Sequence, residues 1–334
     1  MQGSFIYYLL TISIFFCIYC IECWGLNLQF GITGILNFTY ITFVAIGAYF
    51  AGVAALGPSS SGLAGKHILG LSLPFPLPPI VGGIAAAVLA VLVGIVGLRR
   101  LRSDYLAIVT VSVGQIAWYI IGNNASLFNG WDGISTVPAP LYSLFNLGLN
   151  NYHWIFLIIC IVFALIGYVV IQLLTHSPYG RVLKAIREDE DVAAALGKNV
   201  FAYKMSAFII GSVFAGIGGA LTILFIGSFN PSGWTTPETF IVWAAMLVGG
   251  RGNNRGMILG SFLVLIVFNE VTRFLPQIPT HPQLIEAFRG MAIGLLLILA
   301  VRFFPSGVIP ERKVYFKMPA VKGSEEDESH VLQG

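Results

Sequence analysis

Long apolar runs separated by short polar intervals dominate the chain. They cover Phe5–Ile21, Ile32–Leu56, Pro79–Leu98, Tyr105–Ile121, Trp154–Leu174, Phe201–Ile226, Thr239–Val248, Gly256–Phe274 and Ile285–Phe304. A bilayer core takes about 20 apolar residues per helix. The pattern therefore predicts eight full membrane spans and one short one, the seventh. The runs are continuous rather than alternating, which argues against a transmembrane β-barrel.

The longest charged, helix-forming interruption is Ser177–Val200, SPYGRVLKAIREDEDVAAALGKNV, between the fifth and sixth spans. A charged stretch is costly in lipid, so it must lie in water. Ala185 and Ala193–Ala195 favour helix and add little bulk, and Gly197 suits a C-terminal cap. Arg181, Lys184 and Arg187 share a helical face suited to a partner's acids, and Glu188–Asp191 can meet a partner's bases. The stretch reads as a handle for a soluble partner; the plain alternative is a solvated connector near lipid headgroups.

Composition agrees. Of 334 residues 57% are hydrophobic and only 10% charged, against about 25% charged in soluble domains, and mean hydropathy is +0.84. The fold class is an all-α polytopic membrane protein of eight to nine segments, in which 38 Gly and 16 Pro are tolerable. Residues 1–318 form the membrane domain, and the tail 319–334, ending in an acidic run without apolar period, is expected to be disordered.

Net charge is +3, but its distribution carries the information. Basic residues fill every second connection: Arg99, Arg100 and Arg102; Arg181 to Lys204; Arg251 and Arg255; Arg302 to Lys322. The alternate connections hold Lys66 alone or none. The positive-inside rule places the basic loops and the C-terminal segment in the cytoplasm. It also makes the short seventh segment cross, and parity then puts the N-terminal segment outside unless the second segment is re-entrant. Cys17, Cys20 and Cys23 are clustered but have no nearby His, and read as small apolar membrane residues rather than metal ligands. The outer stretch Asn123–Pro140, with Trp131 and Asp132, could cap the bundle or meet an external protein; a plain solvated connection is the equal alternative.

Thr39–Ala45 (TYITFVA) matches Thr239–Ala245 (TFIVWAA) in residue type at every position. On the topology above the first runs outward and the second inward. Inverted repeats with interrupted helices build midplane sites in transporters, which would set Asn37, Thr39, Tyr40, Thr42 and Thr239 near the central axis as candidate translocation residues. Free N–H groups at such helix starts suit a carboxylate. Interhelical hydrogen bonding is the plainer role for each. Glu270 and Arg273, and Glu286 and Arg289, are spaced to neutralise each other near the outer ends of two spans. No ATP-binding loop, metalloprotease or nucleophile-elbow motif is present. Neither an enzyme nor a bound cofactor or metal is expected.

Ser177-Pro-Tyr-Gly-Arg181, Ala185-Ile-Arg-Glu-Asp189 and Asp191–Gly197 resemble the cytoplasmic loop of branched-chain amino acid ABC permeases of the M type. Gly25-Leu-Asn27, Gly31–Gly34, Asn37-Phe38, Gly47–Tyr49, Arg102–Tyr105, Asn129–Ser135 and Gly249–Gly256 extend the resemblance over almost the whole chain, in family order. It implies a multi-pass permease of the bacterial inner membrane, serving an ATP-driven importer. The implied partners are an H-type permease, two cytoplasmic ATPases and an extracytoplasmic substrate-binding protein. The ATPases would grip Gly180, Arg181, Lys184, Ala185, Arg187, Glu188, Asp189, Asp191, Ala193 and Gly197. Where related importers carry E-A-A-x-x-x-G, this chain has Asp191-Val192-Ala193 and then Gly197. Urea, amides or other neutral amino acids are alternative cargoes, and an ion-coupled secondary transporter is the rival from another class.

Overall fold

A computed structural model describes residues 2–58, 67–100, 103–141, 149–268, 283–304 and 306–311. These residues form helices and no strand; two isolated bridges join His67 to Phe128 and Ile134 to Phe229. The helices are α1 (Gln2–Leu26, continued by π-turns over Asn27–Ile32), α2 (Tyr40–Ala55), α3 (Leu77–Arg100), α4 (Ser103–Asn123), α5 (Leu149–His176), α6 (Pro178–Glu188), α7 (Glu190–Ala195), α8 (Val200–Ile226), α9 (Thr236–Gly249), α10 (Asn254–Gly260, continued by π-turns over Ser261–Phe268) and α11 (Gln283–Phe303). Five, within α1, α3, α4, α5 and α8, are by themselves long and apolar enough to cross a bilayer. The protein is a multi-pass, all-helical membrane protein. Glu270, Arg273 and the tail 319–334 lie outside the described residues, as do the side chains of Glu286 and Arg289.

Two boundaries differ from expectation. The first span does not stop at Ile21 but runs on to Ile32, carrying Glu22 into the bundle, where it is 3% exposed. Gly218 on α8 makes the room, since a Cβ there would sit 2.8 Å from Glu22 Oε1. The second apolar run is not helical from Ile32. Gly34, at φ +81°, turns the chain, and helix resumes only at Tyr40. The 16 residues of α2 and the 14 of α9 span about 24 and 21 Å at 1.5 Å per residue, both short of the ~30 Å core. The chain thus has two interrupted spans rather than one.

Helix α8 is the central post, packed along α2, α3 and α1. Glycine makes these crossings close, as expected for membrane interfaces. A Cβ on Gly219 would collide with the Val44 carbonyl, and one on Gly47 with the Gly216 backbone. Helix α9 repeats the relations of α2: it packs on α10 and α1 as α2 packs on α3 and α8. Helix α2 leads from the interruption at Gly34 toward the segment bearing His67 and Phe128, whereas α9 leads from Trp234, beside Tyr49, back to Gly249. The two therefore run antiparallel.

The ends of the bundle differ chemically. Every described Lys or Arg side chain lies at the end bearing α6, here the basic end. At the other end residues 124–137 lie over the helices, with Ile134 N donating to Phe229 O at 2.9 Å and Val137 N to Gly227 O at 2.9 Å. Tyr7 of α1 packs on His153 there, so α1 starts at the end opposite α6. Around the perimeter α3, α4 and α5 turn Ile84, Leu92, Ile108, Ile116, Ile158 and Leu165 outward from the bundle.

Gly219→Val should lower the melting temperature of the detergent-solubilised protein, at a cost of about 1–3 kcal/mol for forcing bulk into a closed crossing. Gly294→Ala, with nothing within 4 Å of its added Cβ, should leave it unchanged. Thermal unfolding followed by circular dichroism measures both.

Candidate functional site

The expected single helix over 177–200 is an elbow of two. Ser177 caps α6 by accepting from Gly180 N at 3.4 Å, with Pro178 in the first turn. Asp189 breaks the run: its backbone is extended (φ −155°, ψ 113°), and its carboxylate accepts from Asp191 N and Val192 N at 2.9 and 3.0 Å, starting α7. Gly197 closes α7 in the left-handed region at φ +75°, with Lys198 N bonded to Ala193 O at 3.2 Å. Tyr179 stacks on Tyr203 and shares a 2.7 Å hydrogen bond with Ser206, pinning α6 to α8. Burial pushes its hydroxyl above the ordinary tyrosine range, the Ser206 bond opposing. Lys204 pairs with Glu190 and fixes α7 in the same way.

The residues of this elbow divide by direction. Gly180 and Ala193 are buried against the bundle. Arg181, Ala185, Glu188, Asp189, Asp191 and Gly197 are exposed, together with Val192 and Leu196, the latter 73% exposed. Lys184 and Arg187 turn inward and meet one carboxylate of the same chain, at 2.7 Å to Glu311 Oε1 and 2.9 Å to Glu311 Oε2. Arg187 also donates to Gly31 O, at the turn that follows α1. Glu311 lies on a strap fixed to the last turn of α9. Val308 N donates to Val248 O at 2.8 Å, Ile309 N to Gly249 O at 3.2 Å, and Asn253 Nδ2 to Ile309 O and Pro310 O at 3.3 and 3.1 Å. The handle is thereby bonded to one of the two interrupted helices.

At the interruptions the candidate path residues come together, apart from Tyr40. Asn37 is fully buried; its amide donates to Gln29 Oε1 at 2.8 Å and accepts from Thr39 N at 3.0 Å, and its carbonyl accepts from Trp243 Nε1 at 3.0 Å. Phe38 N donates to Thr110 Oγ1 at 3.2 Å, and Ile41 N to Thr239 Oγ1 at 3.3 Å, the second bond joining α2 to α9. Thr39 and Thr42 hydroxyls lie 3.5 Å apart. Thr42 lines a cavity of about 110 Å³ with Phe38, Gly114, Gln115, Trp118 and Trp234. Tyr40 points elsewhere: its hydroxyl donates to Glu22 O at 2.6 Å, in the α1–α8 contact.

Several members of these networks were not singled out from sequence. Gln29 donates to Phe208 O at 2.8 Å and Ser212 Oγ at 3.1 Å, so it ties the break to α8. Asn27 donates to Asn254 Oδ1 at 3.0 Å and accepts from Gly252 N at 2.8 Å, and Asn254 donates to Thr175 Oγ1 at 3.0 Å, joining α1, α5 and the α9–α10 turn. The available signal was polarity inside a helix, hidden once α1 was ended at Ile21. Glu311 carried no signal, being one acid in a basic segment. The cysteines lie within helix packing, Cys20 Sγ at 3.1 Å from Ser261 Oγ.

Residues 8–301 match the family described as branched-chain amino acid transport system / permease component. The chain is 29% identical over 329 residues to the "Probable branched-chain amino acid transport permease protein LivM" of Methanocaldococcus jannaschii, covering 91% of this chain and 93% of that protein. It is 31% identical over 330 residues to the "High-affinity branched-chain amino acid transport system permease protein LivM" of Escherichia coli, covering 92% and 72%. It is 22% identical to the "Probable branched-chain amino acid transport permease protein LivH" of M. jannaschii, covering 83% of each. No solved structure matches.

Glu311→Gln should release α6 from the strap. Charge-assisted hydrogen bonds contribute about 1.5–3 kcal/mol, so amide exchange over 178–188 should speed up by roughly one to two orders of magnitude, with exchange in the middle of α8 unchanged. Hydrogen–deuterium exchange mass spectrometry reads both segments.

Proposed function

The chain belongs to the branched-chain amino acid transport system permease family, and from that membership we propose that it is a permease subunit of an ATP-driven importer for branched-chain amino acids. It would work in the inner membrane with a second, H-type permease, two cytoplasmic ATPases and an extracytoplasmic binding protein. The basic end faces the cytoplasm by the positive-inside rule. The ATPases dock on the outward side of the α6–α7 elbow, where Ala185, Val192, Ala194 and Leu196 form a low, partly apolar surface rimmed by Arg181, Glu188 and Asp191. No chemistry occurs on this chain; nucleotide hydrolysis belongs to the partners.

The observation that carries the reading is the bonded route from handle to interruption. It runs from Lys184 and Arg187 through Glu311 to residues 308–309, then to Val248 and Gly249, along α9, and to the Thr239–Ile41 bond. A displacement of the elbow is passed to α9 while α2 stays packed on α8. Relative movement of α9 and α2 changes the small cavity at Thr42 and Gly114, which is the proposed cargo path together with Asn37, Thr39 and Thr239. Tyr40 supports the path from behind by holding α2 to α1.

A second reading, ion-coupled uptake without partners, is favoured by Glu22, a buried acid within α1. One assay separates the two. In vesicles holding the whole assembly, leucine uptake should require ATP and ignore an imposed proton gradient; uptake by this chain alone on a proton gradient would overturn the importer reading. Val192→Asp with Leu196→Asp should lower uptake at least tenfold by weakening ATPase retention. Gly114→Leu, whose added bulk would meet the Thr39 hydroxyl 2.5 Å from its Cβ, should lower uptake with ATPase retention intact.

A further inference from the structure

On the lipid-facing side, α1, α5 and α10 leave a groove of about 780 Å³ whose walls include Phe16, Leu165, Ile258 and Phe262. At its basic end it meets a second, polar cavity of about 510 Å³ that contains Gln172, His176 and Lys184. Tyr168 and Arg255 line both and mark the junction. We propose that an anionic phospholipid of the leaflet at the basic end binds here, one acyl chain in the groove and its phosphate at Arg255.

Three helices change character at one depth. Along α5, Ile161 and Leu165 give way to Tyr168, then Gln172 and His176. Along α10, Phe262 and Ile258 give way to Arg255. Along α1, Phe16 and Cys17 give way to Trp24, whose indole N–H donates to Asn254 O at 2.9 Å. A partly exposed tyrosine such as Tyr168 at this boundary suits the headgroup level of a bilayer. From Arg255 to Phe262 the groove follows seven residues of helix, about 10 Å, which fits within the ~15 Å half-thickness of the hydrocarbon core. An apolar channel one leaflet deep, closed by a cation, has the layout of one lipid molecule.

The charges select an anionic head. The acid lining the polar cavity, Glu311, is already bonded to Lys184 and Arg187. Arg255 is exposed, and among the described residues no hydrogen bond or ion pair involves its guanidinium. Its backbone is fixed, the N–H donating to Asn253 Oδ1 at 3.0 Å. Tyr168 Oη accepts from Gln172 Nε2 at 2.7 Å, which leaves the tyrosine proton for an oxygen at the mouth of the groove. Basic pockets between helices at the cytoplasmic face suit anionic headgroups. Free phosphate would leave the apolar wall uncovered.

The full chain, stripped of lipid in a zwitterionic detergent, is titrated with phosphatidylglycerol or phosphatidylcholine of equal chain length and examined by native mass spectrometry. Phosphatidylglycerol should be retained at least tenfold better. Arg255→Gln should reduce that ratio to about one, Arg255→Lys should restore most of it, and Ala164→Phe, which adds bulk to the groove wall, should lower retention of both lipids. Glycerophosphoglycerol, the head without chains, should not compete. Equal retention of the two lipids, an unchanged preference in Arg255→Gln, or full competition by the chainless head would overturn the proposal. So would efficient cross-linking of Ile258→Cys to another permease chain in native membranes, which would make the groove a protein interface.

Discussion

Inside a bilayer a backbone N–H or C=O has no water to turn to, so every interruption of a helix must be repaired by the protein itself. The turn from Gly31 to Thr39 is such an interruption, and its groups are met by name. Thr33 Oγ1 donates to Leu28 O, Gly34 N to Phe30 O and Ile35 N to Gln29 O, while Thr110, Thr239 and Trp243 serve Phe38, Ile41 and Asn37. The partners come from α1, α4 and α9, so the break can exist only where those helices converge. The positions of the interrupted helices and of the cavity between them follow from that requirement.

The basic end is held together differently. A helix lying across the end of a bundle can slide unless something keys it in place. Here the key is ionic and shared: one carboxylate takes two cations, and the segment carrying it is bonded by its backbone to α9. The lower exposure of Arg187 and Glu311 (23% and 18%) shields the pair from the screening that weakens surface ion pairs. The opposite end, by contrast, is covered by residues 124–137 with backbone bonds, and no Lys or Arg side chain is described there.

Much of this was legible in the order of residues. Run lengths located the five helices that are long and apolar enough to cross a bilayer, within α1, α3, α4, α5 and α8. The Thr39–Ala45 and Thr239–Ala245 match pointed to two helices that do meet, through Thr239 and Ile41. Two kinds of information were not legible. A hydropathy run carries no record of backbone sign, so Gly34 at φ +81° passed as part of a span. An acid in a run reads as its end, so Glu22 cut α1 short, although the missing Cβ of Gly218, far away in sequence, gives it room. The inward turn of Lys184 and Arg187 was hidden for a related reason. On helical spacing alone they share the exposed Arg181 face, and only the arrival of Glu311 decides otherwise.

Glu311 lies beyond the last membrane helix, and that position sets an order of events during synthesis. The elbow is made before its carboxylate partner, so in a newly inserted chain α6 and α7 are held to α8 by the Tyr179–Ser206 bond and the Lys204–Glu190 pair but are not yet linked to α9. The strap is the part whose synthesis adds the bond between elbow and interrupted helix.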